Sequence, residues 1–524
     1  LSRPKEVDSK KMLETLVPIF VAIYAVVALG AAVSFSRSAL PKSVWLPPPF
    51  PLLWLVFEPV SFWEKIRSVA RRAKEGAALF QLLGMRGVLV QDRALIRGTT
   101  RDGGKVFKIF AHPNARWLFY TATQQNLIIL PNDLHATVRA QYQTFLSTEA
   151  LRKYNGQRLF EAQRAWIRET FKASGGASSS GKLTLDVRVW SQSLLAHAIL
   201  SNICPKFLTL KKAERSALCK DIQTFTLGFL SLPVPYWPFG LGKAVAAGER
   251  IIASLERWMA ECRDMFCHEE EDSAALEARV REEFGFLGRW TLELKRTDNA
   301  IHFTDRDVAV NLLDMAFAAQ DATNSALCFV VAYFARDPAA LQRLRGQSWD
   351  SSSRDVFNFV VNVLAAKPPV PMTLRIALDD AELTASTGTK IRVAKGDLIV
   401  HSIEGVNDVW RDVASFHFPD GPFGTPTDPA FADSMVFGSG AHKCPGKAYA
   451  LVSLQTFVSA FADSVSSVEP VDYDPNLMYY PTLFPKKSTF SFTRRADDDD
   501  SYHEELKEEP IVVGDVHLGL VTSS

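Results

Sequence analysis

The longest run of apolar positions in the chain predicts a central, buried helix. Thr304 and Asp307 form a capping-box pattern ahead of the run, in which each side chain bonds a backbone amide of the first turn. Residues 308–335 contain neither Gly nor Pro, and Pro338 then ends the pattern. Because nearly every face is apolar, we expect this helix to run through the middle of its domain.

A short polar cluster interrupts the apolar helix. Burying such groups costs several kcal/mol unless they are hydrogen-bonded. Two interpretations stay open: the cluster contacts a buried water or a neighbouring backbone, or it forms a hydrated site beside a reaction centre. Its members are Gln320, Asp321, Thr323, Asn324 and Ser325.

The rest of residues 60–495 combines long helical patterns with a few strand-like runs. Clear examples of strands are GVLVQD (residues 87–92) and KIRVAKGDLIVHS (residues 390–402). The predicted fold class is therefore mainly α with a small β region, and residues 60–495 are expected to form one domain.

An uncharged apolar segment, residues 16–35, lies near the N-terminus. It has about the length that a helix needs to cross a bilayer. The alternatives are a buried core helix and a cleaved signal peptide, but the segment is long for the latter and no clean cleavage site follows. We expect a retained membrane anchor within residues 1–40. Basic residues flank it on both sides, so its orientation stays open.

Two further segments flank the expected domain. Residues 41–59 are rich in Pro, which excludes a helix and predicts a stiff hinge. Residues 496–524 form an acidic tail that we expect to be solvated and disordered.

Composition narrows the function classes. A hydrophobic share of 47% and a net charge of +1 are ordinary for a globular protein and do not favour a nucleic-acid partner. The cysteines form neither a C-x-x-C pair nor a disulfide framework, so most should be reduced core thiols. The six cysteines are Cys204, Cys219, Cys262, Cys267, Cys328 and Cys444. Of these, only Cys444 has an unusual sequence setting.

Cys444 lies in the stretch VFGSGAHKCPGKAYALV, residues 436–452. A cysteine that ligates a metal must be a thiolate, which nearby donors and a helix N-terminus stabilise. An amphipathic helix is predicted directly after Cys444. Phe437 offers an apolar cover and His442 a donor for an anionic group. Tight turns around the sulfur are allowed by Gly438, Gly440 and Gly446.

The pattern F-x-x-G-x-[HR]-x-C-x-G resembles the heme-binding loop of the cytochrome P450 superfamily. The resemblance implies a cytochrome P450 fold preceded by a transmembrane helix, with heme b whose iron is bound by the Cys444 thiolate. It also implies that His442, and His135 with Arg139 in segment 133–141, reach a heme propionate. The cofactor-binding residues that it implies are Phe437, Gly438, Gly440, His442, Cys444, Gly446, His135, Arg139 and Arg375.

The oxygen-site pattern of the superfamily, [AG]-G-x-[DE]-T-[TS], is altered here to AAQDAT, residues 318–323. The resemblance assigns catalysis to Asp321, as the acid that delivers protons, and to the hydroxyl of Thr323. Ala322 replaces the customary Thr. This form, together with segments 124–147 and 478–495, resembles the sterol C-22 desaturases of plants, fungi and protists.

The narrower resemblance implies a membrane-bound oxidoreductase that acts on a sterol and desaturates its side chain at C-22 with O2 and two electrons. It implies electrons from NADPH through a flavoprotein reductase. It also implies a single-pass protein of the endoplasmic reticulum membrane whose catalytic domain faces the cytosol.

Two departures from the superfamily pattern leave alternatives open. A Glu-x-x-Arg pair is expected on the helix before the PPV segment, but Asn362 and Ala365 occupy those positions. In residues 412–424, Phe418 and Pro419 remain but no Arg follows. Loss of a buried charged lattice should weaken heme retention or stability. The alternatives are another sterol or lipid hydroxylase of the superfamily, and a divergent heme-binding paralogue without turnover.

Overall fold

The structure is a computed structural model of the 524-residue chain. The predicted anchor, the hinge up to residue 58 and the acidic tail lie outside the residues that it describes. Within the described part of the chain, no helix has both the length and the hydrophobicity that a membrane span requires. The described residues are 59–82, 85–101, 106–109, 118, 126–127, 132–173, 182–231, 240–268, 273–296, 302–350, 354–407, 434–480 and 482–495.

Helices make up most of the described chain. In chain order they are α1 (Pro59–Arg72), α2 (Arg93–Gly98), α3 (Asn132–Leu146), α4 (Thr148–Tyr154), α5 (Gly156–Ala173), α6 (Val187–Ile203), α7 (Lys206–Thr209), α8 (Lys212–Leu227), α9 (Gly240–His268), α10 (Ser273–Arg296), α11 (Asp305–Arg336), α12 (Pro338–Arg343), α13 (Arg354–Ala366), α14 (Ile403–Val406) and α15 (Lys447–Ser464).

The strands are fewer and form small sheets. They are β1 (Ala77–Leu82), β2 (Met85–Val90), β3 (Phe107–Ile109), β4 (Lys182–Asp186), β5 (Met372–Ala377), β6 (Ala381–Thr384), β7 (Lys390–Val393), β8 (Leu398–Ser402), β9 (Val465–Tyr480) and β10 (Thr482–Arg494). The prediction of a mainly α fold with a small β region is confirmed.

The chain divides into two compact units, and the first comprises Leu1–Phe110 and Met372–Val406. Its described part is built on a five-stranded sheet in the order β1-β2-β8-β5-β3. β2 and β8 are parallel, and the other neighbours are antiparallel. The strand-like run at residues 87–92 corresponds to β2. The run at residues 390–402 divides into β7, which pairs with β6 in a separate sheet, and β8 of the five-stranded sheet.

Buried ion pairs tie the two chain segments of the first unit together. Arg67 on α1 pairs with Glu404 on α14, and each side chain is only 1% exposed. The Nε of Arg86 donates to Asp397 Oδ1 at 2.9 Å. Because a buried charge is costly without an opposite charge beside it, these pairs hold α1 and β2 against residues that follow more than three hundred positions later.

The second unit, Ala111–Pro371 and Asn407–Ser524, contains the predicted central helix. α11 runs for 32 residues, and the capping box at its start is formed as expected. The Thr304 amide donates to Asp307 Oδ2 at 2.8 Å, and the Asp307 amide donates to Thr304 Oγ1 at 3.2 Å. α11 packs against α6, α9, α13, α15 and β10, so it lies at the centre of the unit.

Apolar side chains fill the core on either side of α11. In one cluster the Trp290 ring meets Tyr142 with 5.2 Å between ring centroids. In the other, Phe334 of α11 stacks on Phe359 of α13 at 4.8 Å. A separate sheet in the order β4-β10-β9 closes this unit. Burial of these aromatic rings supplies much of the hydrophobic stabilisation.

Candidate functional site

The segment that contains Cys444 folds back on itself. The Gly438 amide donates to the Met435 carbonyl at 2.8 Å. Gly438 and Gly440 both have a φ angle of 71°, which a side chain with a β-carbon rarely adopts. The Cys444 amide then donates to the Phe437 carbonyl at 2.8 Å. The glycines therefore make the tight turns that the sequence predicts.

Cys444 lies beside the N-terminal end of α15; the residue is partly exposed, but its thiol group is buried. Burial raises the pKa of the thiol. The Gly446 backbone amide, which bonds the sulfur, and the Arg139 charge oppose the rise. The protein alone therefore favours the thiol, and a bound metal ion would favour the thiolate.

The other described cysteine side chains are core thiols, as predicted. They are buried and form no disulfide among the described residues. Burial raises the pKa of Cys204, Cys219 and Cys262 to about 12 and raises that of Cys328 as well. Such thiols are poor nucleophiles and poor ligands. The side chain of Cys267 lies outside the described atoms.

Helix α3 reaches the Cys444 loop with two residues that the sequence nominated. Arg139 Nη1 donates to the Lys443 carbonyl. The His135 ring lies 4.0 Å, between centroids, from the ring of His442. Burial, together with the Arg139 charge, lowers the pKa of His135 to about 4, so this imidazole is neutral at pH 7. The fold thus assembles His135, Arg139 and His442 beside Cys444.

The polar cluster of α11 hydrogen-bonds mostly to neighbouring elements. Gln320 Nε2 donates to a backbone carbonyl of α6 at 3.1 Å. Asn324 Oδ1 accepts from Ser191 Oγ at 2.6 Å, and Ser325 donates to the backbone of β10. For these three residues the structure supports the first interpretation of the cluster, in which polar groups contact a neighbouring backbone or side chain.

Asp321 is the acid of the cluster, and β10 holds it. Thr482 Oγ1 donates to Asp321 Oδ2 at 2.7 Å. Burial raises the pKa of Asp321 to about 6, although the Thr482 bond opposes the rise. Ala318 is exposed and Ala319 and Ala322 are partly exposed, unlike the buried turns on either side. The acid therefore lies one turn from accessible small residues and can exchange a proton near neutral pH.

Thr323 and Arg375 have no described contact with the Cys444 loop. Thr323 is buried on α11, and its hydroxyl makes no hydrogen bond with another described residue. Arg375 is buried on β5 of the first unit, where its Nη1 donates to the Leu374 carbonyl at 3.0 Å. Burial lowers the pKa of Arg375 to about 10. The roles of both residues stay predictions.

Comparison with known proteins identifies the family. No protein-family model matches the chain. Cytochrome P450 710A2 of Arabidopsis thaliana is 24% identical over 512 residues, which cover 92% of this chain and 96% of that relative. The retinoic-acid-bound structure of cyanobacterial CYP120A1 covers 85% of this chain and 96% of its own, with a TM-score of 0.66 and 17% identity. The chain belongs to the cytochrome P450 superfamily.

A further relative is named for its reaction. The C-22 sterol desaturase erg5 of Aspergillus fumigatus is 24% identical over 261 residues, or 46% of this chain and 47% of erg5. The relatives that cover most of the chain are cytochromes P450. This cytochrome P450 is an enzyme of the monooxygenase type, a family whose members use heme iron.

The residues of this cytochrome P450 fit a heme. Cys444 offers a sulfur whose thiolate form a bound metal ion would favour. Arg139 places a guanidinium beside the same loop, where it can pair with a propionate group. A heme supplies both the metal ion for the sulfur and the carboxylates for the guanidinium.

This cytochrome P450 departs from its superfamily on α13, as the sequence indicates. Asn362 is buried, and its Nδ2 donates to the Asn358 carbonyl at 2.7 Å. Ala365 is also buried, and its carbonyl accepts from Asn407 Nδ2 at 3.1 Å. These α13 positions carry neutral residues instead of the expected charged pair. Residues 412–424, including Phe418 and Pro419, lie outside the described part of the chain.

The sequence analysis missed a second acid on α11. Asp314 is buried, and its Oδ1 has no hydrogen-bond partner among the described residues. Burial raises the pKa of Asp314 to about 7, and the neighbouring Asn126 amide opposes the rise. Burial raises the pKa of Tyr142, and the Asp314 charge adds to the rise. The available signal was a carboxylate in an apolar helix, four residues before Ala318 and thus on the same face.

Proposed function

We propose that this cytochrome P450 is a membrane-bound heme-thiolate oxidoreductase that desaturates the side chain of a sterol at C-22. The similarity to the C-22 sterol desaturase erg5 carries the proposal. The AAQDAT stretch supports it, because Ala322 occupies the place of the usual Thr and a Thr-held acid lies beside it.

Cys444 would bind the heme iron through its sulfur, with Phe437 covering it and the loop glycines shaping the turn. The heme, when bound, supplies the oxidation of the substrate with O2 and two electrons. The residues of the second unit that would bind the propionates are His135, Arg139 and His442.

Asp321 serves as the proton donor of the site. Its pKa of about 6 leaves part of the carboxyl protonated near neutral pH, so it can give up a proton and be refilled. The Thr482 hydroxyl holds Oδ2 and orients the carboxyl. The small residues Ala318, Ala319 and Ala322 beside the acid are exposed or partly exposed, so water and substrate would approach from their side.

In the proposed reaction, two hydrogen atoms leave adjacent carbons of the sterol and a carbon–carbon double bond forms. O2 takes up these two hydrogens together with two electrons and two protons, and two water molecules result. The electrons come from NADPH through a flavoprotein reductase.

Incubation with candidate sterols, reductase and NADPH, followed by mass analysis, tests the reaction. Desaturation removes two hydrogens from the product, whereas hydroxylation adds one oxygen. A hydroxylated product from every accepted sterol would replace the proposal with the alternative of a sterol or lipid hydroxylase.

We also propose that the protein is located in the endoplasmic reticulum membrane. Residues 16–35 would anchor it there, with the enzyme body in the cytosol. Fractionation of cells that express the full chain tests this: the protein should stay with the microsomes after an alkaline wash, and removal of residues 1–40 should release it. Added protease should degrade the body in intact microsomes, and protection of the body would contradict the orientation.

One observation favours a second candidate, a heme-binding paralogue without turnover. Asn362 and Ala365 replace the charged pair that the superfamily pattern leads one to expect. Under this alternative the purified protein holds heme and gives a thiolate-type spectrum, yet it forms no product with any sterol in the presence of reductase and NADPH.

A further inference from the structure

One face of α13 is apolar over three successive turns. Phe357, Val361 and Ala365 follow one another at intervals of four residues, and all three are buried. Residues at this spacing lie on the same side of a helix. Phe437 of the Cys444 loop and Leu451 of α15 pack against them. We call Phe357, Val361 and Ala365 the α13 stripe.

The polar residues near the α13 stripe do not offer another way to hold the Cys444 loop in place. The side-chain oxygens of Asn358, Asn362 and Asn407 are buried and have no donor among the described residues. Each amide makes at most a bond through its nitrogen, as Asn362 does with the Asn358 carbonyl. Neutral amides with unsatisfied oxygens hold a neighbouring segment less firmly than a paired charge lattice does.

A short path connects the α13 stripe to the Cys444 sulfur. The Phe437 ring packs on the stripe, and the Phe437 carbonyl accepts the Cys444 amide at 2.8 Å. On its other side the loop is held by the bond from Arg139 to the Lys443 carbonyl. A shift of the Phe437 ring would therefore move the backbone of Cys444.

We propose that the α13 stripe positions Cys444 for iron through Phe437, as an apolar support where α13 has no charged pair. Phe357, Val361 and Ala365 are positioning residues in this assignment, because they act on Cys444 through Phe437. The assignment rests on the proposed ligation of iron by Cys444. Apolar packing can hold a loop in this way because the core is close-packed and tolerates few alternative arrangements.

Helix α13 offers matched variants on its two faces. Phe357→Ala removes a ring from the stripe. Phe359→Ala makes the same chemical change two residues away, in a neighbouring cluster where the Phe359 ring stacks on Phe334. Phe437 borders this cluster as well as the stripe, so the pair of variants shows which of the two contacts positions Cys444. Both rings are buried, so both variants should lose a similar amount of thermal stability.

The test measures the reduced carbon monoxide spectrum of the heme-loaded full chain alongside its melting temperature. Phe357→Ala should lose most of the thiolate-type Soret band and gain the band of a protonated or displaced sulfur. Phe359→Ala should keep the parent spectrum despite a comparable fall in melting temperature. Equal spectra for the two variants, or band losses that follow melting temperature alone, would overturn the positioning role.

A second pair of variants tests the positioning role if Phe357→Ala does not fold. Val361→Ala alters the stripe, and Val360→Ala alters the neighbouring cluster by the same two methyl groups. The same split between spectra is expected. A parent protein that binds heme without the thiolate-type band would overturn the Cys444 ligation together with the positioning. A parent that has the band, with all four variants keeping it, would overturn the positioning alone.

Discussion

At the scale of single residues, Cys444 combines two properties. The residue is partly exposed, whereas the other described cysteines are buried. Burial raises the pKa of its thiol, and the Gly446 amide and the Arg139 guanidinium oppose the rise. A partly exposed loop is open to a bound group, and the two donors reduce the cost of the thiolate charge. Cys328 lacks the exposure, although it lies on the central helix.

Cys444→Ala should abolish the thiolate-type spectrum of the reduced carbon monoxide complex, since no other described thiol can reach a metal. Cys328→Ala is the matched control and should keep the spectrum, because its sulfur is buried in the core. An ordinary thiolate-type band in Cys444→Ala would show that another residue binds the iron.

Asp321→Asn should lower turnover by about 100- to 10,000-fold, the usual contribution of a general acid or base. Heme content and the spectral shift that a bound sterol causes should stay at parent values, because the amide keeps the shape of the carboxyl. Parent-like turnover in this variant would mean that protons reach the site by another route.

Thr482→Val tests the role of the Asp321 carboxyl through the pH dependence of turnover. Burial raises the pKa of Asp321 to about 6 although the Thr482 bond opposes the rise. Its removal should raise that pKa further, so the change in turnover rate that the parent shows near pH 6 should move to higher pH. An unshifted profile would separate Asp321 from the rate-limiting proton transfer.

At the scale of elements, α10 contains a kink that only glycine accommodates. Gly285 has φ 55° and ψ −130° inside the helix, and a β-carbon there would overlap the Asn202 carbonyl oxygen. The same backbone therefore lets α10 approach α6 closely. Gly346 also has a positive φ, of 65°, but nothing lies within 4 Å of its β-carbon position.

Gly285→Ala should destabilise the protein more than Gly346→Ala does. The latter pays only the conformational strain of a left-handed residue, about 1–2 kcal/mol, whereas the former adds a steric overlap in the core. Melting temperatures of the two variants and the parent measure the difference. Equal losses would show that α10 and α6 can move apart without cost.

At the scale of the whole molecule, Asp314 links stability to pH. Its pKa rises from 3.8 unfolded to about 7 folded, so the folded protein binds the proton more tightly. The stability that this proton contributes is complete below about pH 4 and declines as pH rises to about 7.

Asp314→Asn should therefore raise the melting temperature relative to the parent at pH 8, and the gain should shrink as the pH is lowered to 5. Thermal unfolding across this range provides the measurement. Asp321→Asn should also raise the melting temperature at pH 8. Its gain should begin to shrink only as the pH falls to about 6, since the folded pKa of Asp321 is about 6. A constant difference between Asp314→Asn and parent at all pH values would contradict the raised pKa.

Features that depend on neighbours in the chain could be predicted from the sequence alone. The capping box of α11 acts within one turn, and the absence of Gly and Pro lets the helix continue to Arg336. The turns around Cys444 follow from Gly438 and Gly440, because only glycine readily adopts their φ angles. The mainly α class and the Cys444 loop were determined in this way.

Other properties depend on residues that are distant in the chain, and only the tertiary structure decided them. The bond from Thr482 to Asp321 joins positions 161 residues apart, and the contact of Arg139 with Lys443 spans 304. The burial of Asp314 and its raised pKa had no local signal beyond one acid in an apolar helix. Burial sets the cost of a charge, and burial is known only once distant segments have packed.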